Sequence, residues 1–241
     1  MSEPSLYRWP AAAKFGRVVP KSKFYERGAV TAAVREKFVT DVKRITWAYK
    51  LADETLHLRG NAEVPEIQVF AIDAKDDDVS DGVLAAIDRA VKFPIIFEIR
   101  RTANCGAEIR MAACHKQLGT SKPKLSAYFG TGWTLAETER LAVPISVDLP
   151  ALHTALISPI LPIPAVPGER PHQTAERLAQ AAKFEREISV IERRLRTEPQ
   201  FNRKVEHRRE LQAAIELLTE ITNPAIANDT TKSEKDTQWT S

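Results

Sequence analysis

Three carboxylates and one arginine stand where metal-assisted chemistry on phosphates would need them. Glu66 and Asp73 bracket the mostly apolar run Ile67 to Ile72, and Glu98 and Arg100 flank Ile99 in Phe93-Pro-Ile-Ile-Phe-Glu-Ile-Arg100. Metal-dependent nucleases often place an acid on one strand and an acid-x-lysine on the next, so that carboxylates hold Mg²⁺ beside a cation. Here Arg100 stands in the place of the lysine. It stays protonated and can stabilise a phosphate, but it is a poor group for activating water. The same four residues also read as ion pairs on the polar face of a sheet. Spacing alone leaves both readings open, because it gives no pairing register.

Cations form two further groups. Lys14, Arg17, Lys21 and Lys23 are interleaved with Phe15, Phe24 and Tyr25. Basic residues mixed with aromatics can track a nucleic-acid backbone and stack on bases; the alternative is an arm anchored by its aromatics, its lysines in solvent. Between residues 193 and 210 lie Arg193, Arg194, Arg196, Arg203, Lys204, Arg208 and Arg209, seven cations against three glutamates, a local charge of +4. Arginine suits phosphate forks, and an ordinary solvated helix face laced with ion pairs has the same composition.

Other chemistries find little support. There is no Gly-x-Ser-x-Gly elbow and no phosphate loop. Cys114 and His115 are sequence neighbours that leave a strand by opposite faces. The five histidines (57, 115, 153, 172 and 207) show no ligand spacing. No cofactor is expected, and Mg²⁺ only under the nuclease reading.

The elements that must position these groups follow from periodicity. Five of the eight residues from Phe93 to Arg100 are Ile or Phe, which suit a buried strand, and Pro94 belongs at its start. Glu66 to Asp73 is a second strong strand, and Leu84, Ile87 and Val91 mark the helix between, capped by Ser80 or Asp81. Thr31 caps an earlier helix whose stripe is Val34, Phe38, Val42, Ile45 and Tyr49. Alternation predicts a strand over Glu54 to Leu58, strands over 108–116 and 124–129, and an edge strand over 145–149. A short helix is expected over 152–160.

Residues 159–171 hold five of the fifteen prolines and read as a stiff linker. Beyond it Ala181, Phe184, Ile188, Ile191 and Leu195 recur every three or four residues, a heptad seam. Thr197-Glu-Pro-Gln200 matches a capping box, and Phe201, Val205, Leu211, Ile215 and Leu218 would face inward from a second helix. The expected fold is α+β: a mixed, mostly antiparallel sheet of about five strands with two main helices, then an antiparallel helical hairpin. The boundaries are a body at 1–158, linker at 159–173, hairpin at 174–222 and disordered tail at 223–241.

The chain has 241 residues, a net charge of +3 and 43% apolar content, ordinary for a globular protein. Two cysteines, Cys105 and Cys114, make no disulfide framework and fit the reducing cytoplasm. No run of 18 apolar residues suggests a membrane span.

Four segments together resemble the DUF4391 family of bacterial and archaeal proteins. They are Lys14-Phe-Gly-Arg with Pro20-Lys-Ser-Lys-Phe-Tyr25, Pro65-Glu-Ile-Gln-Val-Phe70, Pro94-Ile-Ile-Phe-Glu-Ile99 and Gln200-Phe-Asn-Arg-Lys-Val-Glu206. Tyr128-Phe-Gly-Thr-Gly-Trp133 adds to the set. Members of that family are often encoded near helicase and DNA methyltransferase genes, in loci that look like phage defence or restriction. The resemblance implies an accessory, non-catalytic subunit that docks on a helicase or methyltransferase, and the two basic groups, Lys14, Arg17, Lys21, Lys23 and Tyr25 with Arg194, Arg203, Lys204 and Arg208, are the candidate contacts to nucleic acid or to that partner. The competing expectations are the nuclease of Glu66, Asp73, Glu98 and Arg100, and a homo-oligomeric scaffold joined through the hairpins.

Overall fold

A computed structural model describes residues 6–27, 30–104, 106–118, 123–163, 166, 169 and 171–223. Cys105, prolines 164 and 167 of the linker, and the tail from 224 lie outside them. Contacts divide the chain into two compact units, 1–162 and 163–241.

The first unit runs β1 (Tyr7–Arg8), β2 (Lys14–Val18), α1 (Ser22–Arg27), α2 (Ala32–Asp41), β3 (Val42–Leu51), α3 (Asp53–Leu56), β4 (Ile67–Ala74), α4 (Asp81–Ala90) and β5 (Ile95–Ala103). It continues with β6 (Gly106–Ala113), β7 (Lys116–Gln117), β8 (Lys124–Leu125), β9 (Phe129–Gly130), β10 (Thr134–Leu135), β11 (Leu141–Ala142) and α5 (Leu149–Ile157). The fold is α+β. Its main sheet has seven strands rather than five, ordered β10-β6-β5-β4-β3-β2, with β9 also paired to β6. Every pairing in it is antiparallel except β4 with β5, which α4 joins.

Strand alternation sends two apolar sets to opposite faces. Phe70, Ile72, Phe97 and Ile99 pack with Phe24 of α1, Phe38 of α2 and Leu84 and Ile87 of α4. Val69, Ile96, Ile109 and Met111 pack with Trp9 and with Leu152 and Leu156 of α5. Helices therefore cover both faces, not mainly one.

Three local expectations fail for identifiable reasons. The helix opened by Thr31, which does accept from the Val34 amide, stops at Asp41, and Val42 to Leu51 is a strand. Register shifts between Val42 and Arg44 put Val42 and Ile45, three apart, into one cluster, and so imitate helical spacing. Glu54 to Leu58 is not a strand: Thr55 Oγ1 accepts from the Ala52 amide and starts the single turn α3. The stretch 145–149 forms no edge strand; Ile145 and Val147 point into solvent, and Leu149 opens α5 after the Asp148 cap.

The second unit is a helical hairpin of α6 (Pro171–Thr197) and α7 (Phe201–Thr222). Ala181 and Ile191 are buried in its seam and Phe184, Ile188 and Leu195 half-buried, as the heptad requires. On α7 the seam residues are Leu211, Ala214 and Leu218, whereas Phe201 and Ile215 are exposed. The capping box does not form. Thr197 Oγ1 donates back to the carbonyls of Arg193 and Arg194, and Glu198 instead accepts from the Gln200 amide.

Candidate functional site

The pairing register decides which of the four sheet residues meet. Asp73 lies directly opposite Arg100, and Ala71 opposite Glu98, so Asp73, Glu98 and Arg100 share one face. Glu66 precedes β4, roughly 16 Å along the strand from the level of Glu98. Its carboxylate holds Gln68 Nε2 at 2.7 Å and Lys50 Nζ at 3.4 Å, and Lys50 also pairs with Glu54. Glu66 is therefore not brought to the others.

Glu98 is 1% exposed yet fully partnered. Its Oε1 accepts from Trp9 Nε1 and Arg140 Nη1, both at 2.7 Å, and its Oε2 faces Arg100 Nη2 at 3.5 Å. The same Arg140 nitrogen donates to the Tyr7 carbonyl. Asp73 Oδ2 accepts from Arg44 Nε and Nη2, each at 2.8 Å. Acids and arginines thus alternate across the sheet face. The chemistry such a chain performs is anchoring: it ties the N-terminal segment and the stretch before β11 to the central strand. Among the described residues no group of three or more His, Cys, Asp or Glu is placed to hold a metal ion. For a metal to use Asp73 and Glu98, both would have to give up arginine partners.

Periodicity gave no sign of a second polar centre, whose members lie far apart in the chain. Lys116, fully buried, donates to Asp88 Oδ1 and to the carbonyls of Asp88, Val91 and Phe93, which closes the C-terminal end of α4. Tyr128 Oη and Cys114 Sγ donate to Asp88 Oδ2. Burial, and then the Asp88 charge, push the tyrosine hydroxyl and the thiol well above their ordinary ranges. Both stay protonated donors.

The N-terminal cations separate into two kinds. Lys21 Nζ donates to the carbonyls of Phe38 and Val42 and so caps α2. Tyr25 packs edge-on to Phe38, under the Arg35 guanidinium, and Phe24 is buried. These three are structural. Lys14, Arg17 and Lys23 are exposed, with Lys23 near Glu26 and Arg17 over Phe15, whose ring lies against Trp47.

At the hairpin tip Arg194, Arg203 and Arg208 are exposed and Lys204 half-buried. Among the described residues none of the four makes an ion pair; His207 with Glu210 is the pair found there. Arg194 and Arg196 sit in the last turn of α6, where the helix dipole favours cations. Arg203 and Lys204 sit in the first turn of α7, which carries no acid. There the dipole opposes them by about 0.3–1 kcal/mol each. The α6 cations are accounted for by helix stability and the α7 cations are not.

A family profile, Domain of unknown function (DUF4391), matches residues 8–217. The chain belongs to that family. The match takes in the sheet face, the buried Lys116 centre and the hairpin tip. No curated protein and no solved structure matches the chain. Among the described residues no helix is long and apolar enough to cross a membrane.

Proposed function

We propose that this DUF4391 protein is an accessory, non-catalytic subunit of a DNA-targeting complex, and that the tip of its hairpin contacts DNA phosphates. The observation that carries the reading is the pair Arg203 and Lys204: unpaired cations placed against the dipole of their own helix. Where a local stability rule is broken without a compensating contact, a functional reason is expected. A polyanion supplies the missing partner, each cation displacing condensed counterions from a phosphate. The anchored carboxylates of the body fit a rigid support better than a metal site. The helicase or methyltransferase implied by the family resemblance is the partner on which that support would dock, in a phage-defence or restriction setting.

Binding of the full chain to a DNA duplex at several salt concentrations tests this. Replacing Arg203, Lys204 and Arg208 by Ala should weaken binding and flatten the plot of log K against log salt by about 0.9 for each lost phosphate contact. Unchanged affinity and slope would sink the proposal. A pull-down with the locus's helicase and methyltransferase, run in parallel, tests the docking.

A further inference from the structure

We propose that the hairpin is also a dimerisation element, two copies packing through a groove along one side of it about a two-fold axis parallel to the helices. A hairpin with one seam needs a single apolar stripe on each helix. Beside that seam each helix carries a second, mixed stripe, charged except for Val190 on α6 and Ala213 and Leu217 on α7. On α6 it is Lys183, Glu187, Val190 and Arg194, each one position before a seam residue. On α7 it is Glu206, Glu210, Ala213, Leu217 and Glu220. Between the stripes lies an open groove of about 710 Å³, with Phe184, Ile191, Ala213 and Ala214 among its lining residues. Val190 and Leu217, 37% and 44% exposed, edge it.

Charge selects a second copy as the occupant. The α6 wall contributes Lys183, Arg186 and Arg194 against Glu187, and the α7 wall contributes Glu210, with Glu206, Glu220 and, at the tip, Arg203 on the same stripe, a net acidic row. One wall is basic and the other acidic. A two-fold along the groove lays α6 of one copy on α7 of the other, so each basic wall meets an acidic one, and the interface is isologous. An axis parallel to the helices cannot slide them, so the register between copies repeats the one within the hairpin. Arg177, in the second turn of α6, donates to the Ile221 carbonyl near the end of α7, so the helices overlap over most of their length. Helical side chains lean toward their own N-terminus. In an antiparallel pair Arg194 and Glu210 therefore lean toward each other, and Arg194 of one copy reaches Glu210 of the other. Both tips come to the same end of the assembly, so one duplex would meet two basic clusters.

The measurement is the mass of the full chain by sedimentation equilibrium over a concentration series, without nucleic acid, so that its result is independent of DNA binding. Wild type should be a dimer. Arg194→Glu and Glu210→Arg, each alone, place like charges at both contacts and should weaken dimerisation about tenfold or more. An equimolar mixture of the two variants should recover the dimer, since in the mixed pair both contacts regain opposite charges. The proposal fails if wild type is monomeric or forms another assembly. It also fails if either variant dimerises as tightly as wild type, or if the mixture associates no better than its components.

Discussion

The indole nitrogen of Trp9 donates to Oε1 of Glu98 at 2.7 Å, joining residues 89 positions apart and pinning the N-terminal segment to the middle of the sheet. A buried carboxylate is tolerated only while its donors remain. Trp9→Phe should cost about 1.5–3 kcal/mol, the range for a hydrogen bond to a charged group. Glu98→Ala should cost more, about 3–5 kcal/mol, because it strands Arg140 as well. Arg100→Ala should cost less than about 1 kcal/mol, its side chain being half exposed and 3.5 Å from the acid. Urea unfolding of the three variants ranks them; a Glu98→Ala protein as stable as wild type would show that the carboxylate anchors nothing.

Lys116 offers a sharper contrast. It is fully buried with four acceptors, whereas Arg44 with Asp73 is an exposed pair. Lys116→Met should destabilise the body by about 3–5 kcal/mol, leaving the Asp88 carboxylate buried without its cation. Arg44→Ala should change stability by less than about 1 kcal/mol. Thermal melts of the two variants should therefore differ widely, and similar melting temperatures would refute the distinction.

His153 on α5 is buried, with neither ring nitrogen hydrogen-bonded. Burial, and then the nearby His115, lower its pKa to about 4. An unfolded histidine titrates near 6.5, so between these values the unfolded chain binds the extra proton. Stability from this group is full above about pH 6.5, falls as pH drops toward 4 and levels off below. The loss is roughly 3 kcal/mol. His153→Leu should remove this step from a stability–pH series; a step that survives the substitution would assign it to another group.

What was legible in the sequence follows from how far each signal reaches along the chain. The run Ile95 to Ile99 announced β5, and Pro94 its start, because both depend on neighbours. The face shared by Glu98 and Arg100 followed from the two-residue period. That Asp73 joins them while Glu66 does not needed the β4–β5 register, which spacing cannot supply. Trp9, Arg140, Lys116 and Asp88 were missed because their partners lie tens of residues away and leave no period. Phe201 and Ile215 are exposed although apolar, because apolarity alone does not set the seam. The seam on α7 instead follows the stricter spacing Leu211, Ala214, Leu218, and favours a small alanine where the helices approach.

The last prediction sets stability against binding at a single side chain. Arg203 is exposed in the first turn of α7, and an acid there would favour the helix dipole where the arginine opposes it. Arg203→Glu should therefore raise the stability of the hairpin, by about 0.3–1 kcal/mol for removing the cation and a similar amount for adding the anion. The same change should lower affinity for a DNA duplex, since a phosphate contact becomes a repulsion. Thermal melting and a binding titration on one preparation read both effects. Higher stability with unchanged DNA affinity would make the cation a tolerated surface residue. A loss of both would mean that Arg203 supports the helical join rather than a ligand. Only opposite movements, tighter folding with weaker binding, fit a residue kept for a polyanion at the expense of its helix.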